Sequence, residues 1–200
     1  MKPTCPGRYK FGGRYGPHSR WMGRMLQLGS VILWVVSGWL LLFLNNVIRP
    51  EFDGFDFLHN LIFGSNRGKS LIITCFALLL IVLYMYIHEL IHGLFIWTFS
   101  RKRPLFSFNI RKPYAALAPG AFISRNNDLI AMYSPLIIIT LIGLIVWPVV
   151  PIQAIPAVIL IISVNIGASI SDIVQSIWLI RFDKNSVVGF DGKGSIVCEP

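Results

Sequence analysis

The chain has 200 residues, 54% of them hydrophobic, and a formal net charge of +9. Length and hydrophobicity together exclude a two-domain soluble protein and point to one compact multi-pass membrane bundle. The basic residues cluster beside apolar runs, where the positive-inside rule expects them, which excludes a nucleic-acid-binding protein.

Residues 1–25 come first. Lys2, Arg8, Lys10, Arg14, Arg20 and Arg24 stand there without an acid, among Gly, Pro and Tyr. Such a stretch predicts a disordered, basic cytoplasmic tail that touches anionic lipid headgroups. The apolar run behind it is too long for a secretory signal and lacks a convincing small-residue cleavage site.

Four runs are long enough to cross ~30 Å of hydrocarbon. They cover about Leu26–Ile48, Leu71–Phe99, Leu129–Val150 and Ala154–Ile180. Pro148, Pro151 and Pro156 surround the last connection, which reads as a tight hairpin around Pro-Ile-Gln. The first loop balances Arg49, Arg67 and Lys69 against Glu51, Asp53 and Asp56. The loop after the second span carries Arg101, Lys102, Arg103, Arg111, Lys112 and Arg125 against Asp128 alone. Both termini and that central loop are therefore expected in the cytoplasm, with the protein in the cell membrane. Residues 182–200 read as a short polar cytoplasmic tail.

The expected fold is an all-α membrane protein, with residues 26–181 forming a bundle of about four transmembrane helices. A short, irregular β-hairpin-like loop is expected between the second and third. Leu105–Ile110 alternates imperfectly, and Tyr114–Ile123 follows Lys112-Pro113 and is broken by Pro119-Gly120. A plain amphipathic loop lying on lipid is the alternative. Cys5, Cys75 and Cys198 are far apart and form no C-x-x-C pair, so all three are expected to be free thiols.

His88, Glu89, His92 and Asp172 are the ionisable Asp, Glu, His, Lys or Arg residues well inside the four runs. Such groups in hydrocarbon are costly and mark function. His88-Glu89-Leu90-Ile91-His92 is an H-E-x-x-H pattern. On a helix its histidines share one face and converge on one ion, with the glutamate placed to act on water. His88 lies 17 residues from Leu71, and Asp172 lies 16 residues from Pro156. At ~1.5 Å per residue these are depths of about 26 and 24 Å, so the two positions share a level. Two imidazoles and Asp172 then hold one zinc ion and leave a fourth position open, as in catalytic sites. Asn165, seven residues before Asp172 on the same face, is placed to donate to an oxyanion or to orient a ligand. His18 and His59 read as surface residues, and Tyr84, Tyr86 and Tyr133 as packing or interface residues.

His-Glu-Leu-Ile-His-Gly in a second hydrophobic helix resembles the family of putative zincin peptidases, multi-pass prokaryotic membrane proteins known mainly as a domain of unknown function. The likeness continues through Ile123-Ser124-Arg125, Ser134-Pro135-Leu136 and Asn165 to Asp172, covering about Leu71 to Arg181. That family is similar to the site-2 intramembrane metalloproteases. The resemblance implies His88 and His92 as ligands, Glu89 as base and Asp172 as the completing ligand. Site-2 proteases carry an Asn-Pro-rich run ending in Asp-Gly. Here Asn165–Asp172 has no proline and no following glycine.

The function expected is an intramembrane zinc metalloprotease. It would hydrolyse peptide bonds of membrane protein or peptide substrates, using zinc-activated water with Glu89 as general base. The alternative is a non-enzymatic membrane protein, either an ion or proton carrier or a metal-stabilised scaffold. Substrate identity and oligomeric state leave no trace in the sequence.

Overall fold

The computed structural model describes residues 5–16, 20–107 and 113–200. His18, residues 108–110 of the first expected hairpin segment, Arg111 and Lys112 lie outside them. The described chain is mostly helical. It comprises β1 (Lys10–Tyr15), α1 (Arg20–Ile48), α2 (Gly54–Phe63), α3 (Arg67–Ser100), β2 (Leu105–Ser107), β3 (Tyr114–Ala116), β4 (Phe122–Ser124), α4 (Arg125–Val146), α5 (Ile155–Ala168), α6 (Ile170–Leu179), β5 (Val187–Phe190) and β6 (Ser195–Glu199).

Four segments are long and apolar enough to cross a membrane: Trp21–Ile48, Arg67–Ser100, Arg125–Val146 and Ile152–Leu179. Their outward faces stay apolar. Val35 and Trp39 on α1, Ile72 and Leu79 on α3, and Ile137 and Ile145 on α4 are all more than half exposed. An apolar surface of that extent belongs against lipid.

The fourth segment is not one helix. It breaks at Ser169, whose backbone N–H and hydroxyl both bond the Asn165 carbonyl, at 3.1 and 2.8 Å. Hydroxyl back-bonding of this kind bends helices. Asn165 therefore stands in the last turn of α5, and Asp172 in the first turn of α6. Gly167 lets α5 touch α1: a Cβ there would stand 2.7 Å from the Ser30 carbonyl oxygen and 2.8 Å from Trp34 Cβ.

The all-α expectation needs correction. β1, β6, β5 and β4 form an antiparallel sheet in that order, and β2 pairs with β3. The sheet draws together the N-terminal segment, the residues before α4 and the C-terminal segment. Its registers include Phe11↔Cys198, Val188↔Val197 and Phe122↔Gly189. Lys10–Tyr15, expected to be disordered, is ordered by pairing with β6. Ile196, Val197 and Cys198 are buried, so the C-terminal segment is a core strand rather than a polar tail. These strands are three to six residues long, too short for alternation to register, and β1 with β6 and β4 with β5 pair across large sequence separations. The same pairing brings Cys5 to Cys198, which form a disulfide with a Cα–Cα distance of 5.8 Å. Of the three expected free thiols, Cys75 alone is free, on the exposed face of α3.

Candidate metal centre

The long apolar run of α3 starts at Asn66, whose side chain accepts the Lys69 N–H, and stops at Arg101 in the left-handed conformation. His88 and His92 stand one turn apart on its inner face, 6% and 8% exposed. Gly93, the last residue of the motif, admits the neighbouring hairpin. A Cβ at this position would lie 2.2 Å from the Phe106 ring of β2.

Three side-chain atoms meet at this point. His88 Nε2 and His92 Nε2 are 3.2 Å apart. Asp172 Oδ2 is 3.3 Å from the first and 3.5 Å from the second. The group His88, His92 and Asp172 has the makings of a metal site. The expected ligand set, drawn from the second and fourth membrane segments, is thus brought together.

Hydrogen bonding behind the rings decides which nitrogens face inward. His92 Nδ1 is 2.8 Å from the Ala131 carbonyl oxygen, which accepts only, so Nδ1 carries a proton and the neutral ring has its lone pair on Nε2. That carbonyl is available because Pro135, four residues later in α4, has no N–H to bond it. Ser134 Oγ also donates to it, at 2.8 Å. On the other ring, the Tyr84 hydroxyl spends its hydrogen on Asn165 Oδ1 at 3.0 Å and must accept from His88 Nδ1 at 2.9 Å. His88 Nε2 therefore also points a lone pair inward. With both rings neutral, two lone pairs and a carboxylate oxygen face one another, an arrangement that a cation satisfies.

The spacing fits zinc. Ligand atoms placed tetrahedrally at about 2.0–2.1 Å from one ion are about 3.3 Å apart. The observed edges of 3.2, 3.3 and 3.5 Å bracket that value.

Asn165 is fully buried. Its Nδ2 bonds the Pro135 and Leu136 carbonyls and Thr140 Oγ1, at 3.3, 3.2 and 3.0 Å. All its amide hydrogens are held by α4, leaving none for a substrate oxyanion. What the geometry does support is an orienting contact to His88 through Tyr84. Tyr84, read as a packing residue, is 4% exposed and belongs to this network. The signal was present: Tyr84, His88 and His92 follow one another at intervals of four on one face.

Glu89 stands beside the trio, and one carboxylate oxygen accepts the Ala115 N–H of β3 at 2.7 Å. The space in front is a cleft of about 580 Å³. Glu89, His92, Asp172, Tyr114–Leu117 and Tyr15 line it, with the turn from Gly192 to Ser195 between β5 and β6. Both terminal segments were read as cytoplasmic tails, yet β1, β5 and β6 form one wall. Tyr15, on the lining, has its hydroxyl pushed above its ordinary titration range by burial and by the charge of Asp172. Asp128 also lines the cleft. It had been counted with the charges of the central loop.

Residues 81–187 match the model of a family described as putative zincin peptidase. The match spans more than half of the chain, and the chain belongs to that family. Membership suggests a metallopeptidase, with zinc as the metal the family implies. No curated protein and no solved structure matches the chain.

Proposed function

We propose that this zincin family member is an intramembrane zinc metalloprotease that hydrolyses peptide bonds of membrane-associated substrates. The observation that carries the reading is the inward-facing triangle of the His88 and His92 Nε2 atoms and a carboxylate oxygen of Asp172, with edges of 3.2, 3.3 and 3.5 Å. His88, His92 and Asp172 hold the ion. Zinc bound there supplies Lewis-acid polarisation of the scissile carbonyl and lowers the pKa of a water toward neutrality.

The remaining steps belong to the chain's own groups. Glu89 is the base: the Ala115 N–H fixes one oxygen, leaving the other to take a proton from water and pass it to the leaving nitrogen. Asn165 and Tyr84 hold His88, and the Ala131 carbonyl holds His92, so both rings keep the tautomer that ligation needs. A helical substrate has its carbonyls hydrogen-bonded and must be extended first. β3 bonds β2 along one edge and presents Ala115 to Glu89 along the other. An unwound substrate strand adding to that edge would bring its backbone past the base.

The test compares detergent-purified wild type with Glu89→Gln and His92→Ala. About one zinc per chain is expected in wild type and in the Gln variant, and none in the Ala variant. New membrane-protein termini should arise in cells with wild type and not with Glu89→Gln. Zinc without such termini would favour a metal-stabilised scaffold. Absence of zinc from wild type would favour the carrier reading.

The basic N-terminal and central segments support an orientation with both termini and the cleft in the cytoplasm. The Cys5–Cys198 bridge favours the opposite one, because disulfides persist in oxidising compartments. Lys184→Cys, on an exposed turn, separates the two. Labelling by an impermeant maleimide only after permeabilisation supports the cytoplasmic arrangement. Labelling of intact cells sinks it.

A further inference from the structure

Asp128 lies on the first turn of α4, right after the Ser124 cap, and is 6% exposed. Among the described residues its Oδ2 has no hydrogen-bond partner. A buried carboxylate oxygen without a donor is costly and needs a reason. The metal group does not supply one, since its atoms come from His88, His92 and Asp172. Nor does Asp128 orient His92, whose Nδ1 bonds the carbonyl of Ala131 instead.

Asp128 and Ala131, three apart on one helical face, are neighbours at about 5–6 Å between Cβ atoms. Ala131 touches His92. Asp128 thus stands on the side of α4 that meets His92, and it lines the same cleft as His92 and Asp172. It shares the cleft with two further carboxylates, Glu89 and Asp172. A divalent ion balances two negative charges and leaves the third without a counter-charge. The lysine of the cleft lining, Lys193, sits on the exposed turn between β5 and β6. A neutral amide would satisfy the hydrogen bond but not the charge, whereas an ammonium or guanidinium group satisfies both.

We infer that Asp128 is a specificity-determining residue that receives a positively charged nitrogen of the substrate beside the scissile bond. The shared chemistry is a cationic N–H donor, and it has two sources: a free amino terminus, or a lysine or arginine side chain. The inference rests on the metallopeptidase reading of the cleft.

Metal-binding hydroxamates test it without hydrolysis. Zinc-loaded wild type and Asp128→Asn are titrated with two matched pairs, followed by thermal shift. Leucine hydroxamate against its N-acetyl form reports on the amino terminus. Nα-acetyl-lysine hydroxamate against Nα-acetyl-norleucine hydroxamate reports on the side chain. Wild type is expected to prefer the cationic member of one pair at least tenfold, the pair identifying the source, and Asp128→Asn to lose that preference while keeping zinc. Equal affinities within both pairs in wild type overturn the inference whatever the variant does. A preference that survives in Asp128→Asn overturns it as well. Loss of zinc from the variant overturns it by assigning Asp128 to the metal. If zinc-loaded wild type binds no hydroxamate, or wild type holds no zinc, the metallopeptidase reading itself falls and takes the inference with it.

Discussion

Two buried polar clusters sit at opposite ends of α4, and they are satisfied in different ways. At the far end, Asn45 donates to the Phe52 carbonyl at 2.8 Å and accepts the Trp147 indole N–H at 3.1 Å. Arg49 caps the same end by donating to the carbonyls of Trp147, Pro148 and Val150, at 3.3, 3.0 and 3.0 Å. Donors there meet acceptors, and the cluster closes on itself. At the near end, the outward nitrogens of His88 and His92 have partners of their own, and with neutral rings three acceptors are left facing each other. Polar residues buried between helices are common glue in membrane proteins. What separates glue from a site is a set of like partners whose hydrogen-bonding capacity is incomplete without a guest.

The contrast breaks most decisively at the ligands. Asp172→Ala or His92→Ala should take zinc from one per chain to none, read by metal analysis of purified protein. Zinc retained in full would show that the trio is glue after all. Next in size is the base: Glu89→Gln should slow hydrolysis by about 10²–10⁴-fold while zinc stays at one per chain. The buttresses come third. Tyr84→Phe should weaken zinc binding by about 10–100-fold, the range for groups that orient metal ligands. Pro135→Ala should weaken it similarly, because the restored N–H competes with His92 for the Ala131 carbonyl. Pro135→Ala should also raise the melting temperature, since proline is costly inside a helix. Metal affinity and stability would then move in opposite directions. The smallest expected effect lies at the closed cluster. Asn45→Ala should cost about 1–3 kcal/mol, measured by denaturation, for leaving buried donors and acceptors unpaired. Zinc binding should not change.

His88, Glu89 and His92 were legible because four-residue spacing on a helix puts side chains on one face whatever surrounds it. Asp172 was legible because a lone acid in hydrocarbon needs a counter-charge. Asn165 was singled out for the right neighbourhood, but the direction of its amide was not readable, since it depends on which carbonyls of α4 lie opposite. Asp128 was hidden among loop charges, because burial at the first turn of a helix is a tertiary property. The Cys5–Cys198 bridge and the β1–β6–β5–β4 sheet were hidden for the same reason: their partners are up to 193 residues apart.

Local periodicity and hydrophobic length are enough to write down four segments long and apolar enough to cross a membrane and a candidate metal-ligating motif, because both act over a few helical turns of one continuous chain. Which nitrogen of each imidazole faces the centre, what holds Glu89, and which strands wall the cleft were decided by packing. Each depends on a donor or acceptor supplied by a distant segment. The freed carbonyl behind Pro135 joins the two levels: the missing N–H is written in the sequence, and its use by His92 comes from the fold.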